Sequence, residues 1–238
     1  MLKTLSTLGF LLAGLVAARA ADDNKEAEEA MQRFKKGMAN PSAPARAAAA
    51  ADLARTPFEK GALALGNLLG SDADAVRIAA AEGLGNFHDF KKVATPLLLA
   101  GLNANAKDPK VMEAIFKGLG KLGDETALST IHQYFDDKEA DIANSALMSA
   151  AEIRTVSSID PMITLMKKYE KIDEQAKKGG GGYGVPYGGG QDPKGKLAKD
   201  VLPTIIKALQ TITHEKWATT KEWEIWWNRY KATFKIDK

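Results

Sequence analysis

The side chains with chemistry to offer are few, and their spacing brings none of them into a recognised reactive set. Three histidines, His88, His132 and His214, share no register, and none has the further ligands of a complete metal set at metal-ligand spacing on the same helical face. A zinc centre needs three or four convergent ligands, so this set predicts no metal site. No serine lies in a G-x-S-x-G setting, and the pairs Asp22-Asp23 and Asp136-Asp137 fall where carboxylates cap helices or are solvated. Cysteine is absent, which removes disulfides, thiolate ligands, thiol nucleophiles and lipid-modified cysteine together. The expectation is therefore a protein without catalytic residues or a cofactor.

Aromatic residues offer binding chemistry instead. The run Gly179-Gly-Gly-Gly-Tyr-Gly-Val-Pro-Tyr-Gly-Gly-Gly190 reads as a flexible surface loop over 179–193, because glycine this dense cannot offset its ordering entropy by burial. Tyr183 and Tyr187 on such a tether would also suit a binding loop. No strand or Gly-Lys-Ser/Thr sequence accompanies it, so it is not a phosphate loop. Near the C-terminus stand Trp217, Trp223, Trp226, Trp227, Tyr230 and Phe234. Offsets of about 3, 4, 7 and 11 from Trp223 place the rings on one helical face. That face either closes an apolar core as a capping helix or presents an aromatic patch to a partner or a sugar polymer.

Charge and the N-terminus bound the setting. Lys3, the apolar stretch Leu5 to Ala18 and the Ala18-Arg19-Ala20 site predict a signal peptide over 1–20, cleaved after Ala20. The apolar run is short of the roughly 20 residues that span a bilayer. Beyond it the chain carries 31 basic and 30 acidic residues, with 21 against 24 in 21–178 and 10 against 6 in 179–238. Nucleic acid calls for clustered positive charge, so a mildly acidic body argues against that partner.

The elements that must position these residues follow from an internal repeat. Val76-Arg-Ile-Ala-Ala-Ala-Glu-Gly-Leu-Gly85, Val111-Met-Glu-Ala-Ile-Phe-Lys-Gly-Leu-Gly120 and Ile142-Ala-Asn-Ser-Ala-Leu-Met-Ser-Ala-Ala151 align, and Ala45 to Ala54 is a weaker copy. Their ends are 31, 35 and 31 residues apart, the length of one helix pair. Expected caps are Ser71, Asp108 and Asp137 for the first helix of a pair, and Thr56, Asp124 and Ser157 for the second. Gly83 and Gly118 occupy one register, where glycine costs about 1 kcal/mol relative to alanine, so a neighbouring helix should approach closely there. Gly85 and Gly120 would then serve as left-handed caps.

The pattern V-R-x-A-A-A-x-G-L-G, followed by a short turn with Asp89 or Asp124 and an aliphatic run with proline near its start, resembles HEAT repeats. The segments Val93 to Leu97, Ile159 to Met162 and Val201 to Thr204 look like proline-bearing second helices. The resemblance implies an all-α fold, an α-α superhelix: a leading helix in 21–43, right-handed repeats over 44–178, and a tryptophan-rich helical cap over 194–238 with Trp223, Trp226 and Trp227 as structural residues. It implies a scaffold that holds a protein partner in the cell envelope or outside it. A wall- or polymer-associated structural protein is the alternative, and less so a lyase, since some HEAT-like proteins cleave pigment adducts. In HEAT proteins second helices line the concave side, which assigns Lys91, Lys92, Gln133, Lys167 and Lys168 to the binding face, joined by Tyr183 and Tyr187.

Overall fold

The aligned decapeptides each form the body of a helix. A computed structural model describes residues 22–179 and 193–236; the leader expected over 1–20 and the segment carrying Tyr183 and Tyr187 lie outside them. The described residues are helical and contain no strand. Along the chain run α1 (22–38), α2 (Ala43–Leu53), α3 (Glu59–Leu68), α4 (Asp74–Leu84), α5 (Lys91–Ala104) and α6 (Pro109–Leu122). There follow α7 (Leu128–Ile131), α8 (Ala140–Ile153), α9 (Ile159–Gly179), α10 (Pro193–Thr213) and α11 (Thr220–Tyr230).

Two layers result. Helices α2, α4, α6, α8 and α10 form the first, each packed on the next, while α3 packs on α5 and α9 on α11 in the second. Helices α3, α5, α7 and α9 also each pack on the first-layer helix that follows. The core runs between the layers, from Ala30 and Phe34 of α1 through Phe87, Ile115 and Phe116 to Trp223. Helix α6, with neighbours on three sides, buries residues around most of its circumference, including Val111, Ile115, Phe116 and Leu119. No helix among the described residues is long and apolar enough to cross a membrane.

Small residues set the first-layer spacing. A Cβ on Gly83 would lie 2.8 Å from that of Ala54, and one on Gly118 would overlap the carbonyl oxygen of Ala81. One on Gly85 would lie 3.0 Å from the carbonyl oxygen of Gly118, and one on Gly120 3.0 Å from the Cα of Ser149. These contacts reach backbone. In the second layer the space beside Gly66 is filled instead by the side chain of Leu97, at 2.6 Å.

Five expectations are corrected. Gly85 and Gly120 are not left-handed caps: Gly85 is right-handed at φ −61° and Gly120 lies within α6, whose cap is Gly123 at φ 66°. Both are required by close packing instead. Ser71 donates to the carbonyl oxygen of Asn67 at the end of α3, while Asp72 accepts from the amide of Ala73 before α4. Thr56 and Ser157 do not cap α3 and α9: the residue before Glu59 is Phe58, and Ser157 lies inside a 3-10 turn ahead of α9. Asp124 does accept from the amide of Thr126, but the second helix expected after it is no single helix: 3-10 turns alternate with the one-turn α7. Finally, Val201 to Thr204 belongs to a first-layer helix, because α10 packs on α8.

Polar ties join successive units at the repeat spacing. Arg46 and Arg77, one period apart, make the largest of them. Arg46 binds Asp72 through Nε and Nη2, and these bonds raise its own pKa and lower that of Asp72. Arg77 donates to Asp74 at 2.5 Å, to Asp108 at 2.8 Å and to Asn105 at 2.5 Å. Asn105 is fully buried and donates to the carbonyl oxygens of Leu69 and Gly101, both at 2.7 Å, so one amide joins α3, α5 and α4.

Gly118→Ala separates packing from helix propensity. In an isolated helix it would gain about 1 kcal/mol. Overpacking against Ala81 backbone costs about 1–3 kcal/mol, and backbone yields less readily than a side chain. The expected result in urea unfolding is a net loss of stability; a gain would show that α4 and α6 are not held this close.

Candidate functional site

The residues expected to form a binding face are largely occupied by the fold. Lys91 Nζ donates to the carbonyl oxygen of Gly123 at 3.1 Å, serving the open end of α6. Lys167 pairs with Glu224 at 2.5 Å. Lys168 pairs with Asp136, which also accepts from the hydroxyl of Tyr169 at 2.8 Å. Burial, and then this hydrogen bond, push the Tyr169 phenol far above its ordinary range. Lys92 and Gln133 stand exposed. All five lie on second-layer segments, but three hold neighbouring units together and offer little uncompensated charge.

Trp223, Trp226 and Trp227 are buried, and the Trp227 indole donates to Asp160 at 2.6 Å. A groove of about 670 Å³ beside them is lined by Trp217, Trp226, Arg229, Tyr230 and Phe234, with Ile225 and Tyr230 exposed. His132 Nε2 lies 3.0 Å from Ser158 Oγ. These are the atoms of a serine–histidine dyad, but Ser158 is fully buried, so no substrate reaches its hydroxyl. Burial also holds the His132 imidazole below its ordinary range. His214 Nε2 accepts from Arg154 Nη2 at 2.8 Å, and both residues are left-handed at the ends of α8 and α10.

The site that sequence reasoning did not find lies on the outer side of the first layer. One groove of about 480 Å³ crosses four helices. Ile78 and Glu82 come from α4; Lys110, Glu113, Ala114 and Lys117 from α6; Asn144, Ser145, Met148, Ser149 and Glu152 from α8; Thr204 and Lys207 from α10. Ile78, Ala114 and Met148 give it apolar patches. Glu82 and Lys117 cross it as an ion pair at 2.7 Å, which raises the lysine. Glu152 reaches solvent, yet the protein around its carboxyl raises it above the usual range, an effect that Lys117 opposes.

Two polar atoms in this groove lack a partner among the described residues. Ser149 is 2% exposed and its hydroxyl has no hydrogen bond; Asn144 donates weakly to the carbonyl oxygen of Asp200 while its own Oδ1 accepts nothing. A buried hydroxyl left unpaired costs about 1–3 kcal/mol, so a fold under no other demand would carry alanine here. Ser149 also stands at the register of Gly83 and Gly118. A serine replacing the small residue of its own repeat was the signal available in the sequence.

Residues 85–153 match the sequence profile of a family described as "Bacterial protein of unknown function (DUF937)". The matched stretch runs from the end of α4 through α8 and so includes the α6 and α8 walls of the groove. No curated protein matches the chain.

Two serines of equal size then give opposite expectations. Ser149→Ala should raise stability by about 1 kcal/mol, because it removes an unpaired buried group. Ser158→Ala should lower it by about 1 kcal/mol, because it removes the partner of His132. Chemical denaturation of both variants checks this, and a loss in Ser149→Ala as large as in Ser158→Ala would mean that the Ser149 hydroxyl is internally satisfied.

Proposed function

We propose that this chain is a non-catalytic interaction scaffold, exported to the cell envelope or beyond, whose first-layer groove holds a segment of a protein partner. The observation that carries this reading is a groove that crosses four helices of the first layer and presents Asn144, Ser145 and Met148, each half-buried, among charged side chains. The Ser145 hydroxyl and the Asn144 side chain would meet the alternating donors and acceptors of a polypeptide backbone.

The architecture we read is a right-handed α-α superhelix of HEAT type, closed by the tryptophan-rich C-terminal helix. Support comes from the regular succession of α2, α4, α6, α8 and α10, and from three tryptophans turned into the core where terminal units must cover an apolar face. Backbone contacts in one layer and side-chain contacts in the other would bend such a stack towards the first layer. The concave side would then be the first layer, opposite to the second-helix face implied by the HEAT resemblance. A wall- or polymer-associated role would use the groove beside Tyr230 and Ile225, but burial of Trp223, Trp226 and Trp227 leaves that groove little stacking surface. A lyase role has no residue here that supports it.

Photocrosslinking in intact cells tests the scaffold. A photoreactive phenylalanine in place of Ser145 should give a discrete protein adduct, and the same group in place of Lys92 should give none. Adducts from Lys92 alone would move recognition to the second layer, and adducts from neither would remove the scaffold reading.

A further inference from the structure

From the outer face of α11 we infer that two copies of this chain associate through it, antiparallel about a twofold axis that passes between Ile225 and Trp226. The contact is independent of what the first-layer groove holds.

The face is apolar and lies at the end of the stack. Helix α9, to which the Trp227 indole is bonded, is the one helix among the described residues that packs closely on α11. Of the three large apolar side chains that stand exposed among the described residues, Leu63, Ile225 and Tyr230, two are here. They border the groove of about 670 Å³ that Trp217, Trp226 and Phe234 also line.

The charges on this face select a second copy. Glu222 and Arg229 stand two turns apart on α11, so both project from the same side, with Ile225 and Trp226 between them. The midpoint of Glu222 and Arg229 is also the midpoint of Ile225 and Trp226. An antiparallel pair centred there sets Glu222 of each copy against Arg229 of the other, while residues beside the axis meet their own counterparts. Ile225 then packs on Ile225, and the exposed edge of Trp226 on Trp226. A parallel pair would oppose like charges instead, so the same two residues fix the direction.

Both charged groups are open to such a partner. Arg229 is exposed and makes no hydrogen bond or ion pair among the described residues. Glu222 closes the capping box of α11, but the amides of Ala218 and Thr219 and the Thr219 hydroxyl all donate to its Oε2, which leaves Oε1 for an outside donor.

Size sets the strength. The eleven residues of α11 make a face about 16 Å long and about 10 Å wide, small against the roughly 800 Å² that each partner gives to a stable interface. The pair therefore belongs with weak, concentration-dependent associations.

Sedimentation velocity of the purified protein from about 1 to 300 μM, the span in which a small interface associates, should show a reversible shift from monomer to dimer. Ile225→Arg and Arg229→Glu alter exposed residues, so each should leave the melting temperature of dilute protein unchanged and weaken dimerisation at least about tenfold. Under a mild oxidant Ile225→Cys should give a covalent dimer, because the two copies of this residue meet at the axis. Leu63→Cys, similarly exposed on α3, should give none. A monomer at every concentration overturns the inference and leaves the face to a different partner. A dimer that survives both Ile225→Arg and Arg229→Glu, or equal oxidative crosslinking from Leu63→Cys and Ile225→Cys, overturns it as well.

Discussion

Backbone meets backbone between α4, α6 and α8, and the rest of the molecule is arranged around that approach. Gly83, Gly85, Gly118 and Gly120 each occupy a point where a methyl group would strike the neighbouring helix, and at the last three it would strike main chain. Glycine inside a helix costs about 1 kcal/mol, so Gly83 in α4 and Gly118 and Gly120 in α6 weaken both helices on their own. Tertiary packing supplies what local propensity withholds. The second layer has no such pressure. Its helices are held off by leucine and aromatic side chains, and one of its members is interrupted by 3-10 turns on both sides of α7.

Polar residues fix the register that the small residues permit. Sliding one helix along another would cost little if the contact were only alanine against glycine. Arg77 prevents this by reaching Asp74, Asp108 and Asn105 at once, and Asn105 carries the tie on to α3. Further along, Thr95 donates to Asp124, Lys91 donates to Gly123 and Trp227 donates to Asp160. These bonds join residues that lie about one or two repeat lengths apart in sequence. Pairing of the same kind takes up cations expected at a binding surface: Lys91, Lys167 and Lys168 are engaged within the molecule.

Helices and their order were legible because a 31- to 35-residue period leaves few alternatives to stacked pairs. The cost of Gly83 and Gly118 was legible too, since one register repeated an unfavourable residue. Reading Gly85 and Gly120 as caps failed because cap and close-contact glycines look alike in sequence; only Gly123, three residues on, has positive φ. Ser71 and Thr56 misled for a related reason, as each turn held other polar residues or a start one or two positions later. The groove was illegible because it is assembled from four helices more than 120 residues apart, Ile78 to Lys207. One trace of it was present: the column of Ile78 holds Glu113 in α6 and Asn144 in α8, and the column of Gly83 and Gly118 holds Ser149.

That the first layer is the tighter one underlies both the groove and its proposed use, and the chain's lack of cysteine makes it directly measurable with paired spin labels. Labels in place of Glu82 and Lys207 span α4 to α10, and labels in place of Lys92 and Lys221 span α5 to α11, three helix steps in each case. Pulsed electron–electron distance measurement should find the first separation clearly shorter than the second. Equal separations, or a shorter one in the second layer, would contradict a stack drawn together by its glycine contacts and would leave the groove without its cause.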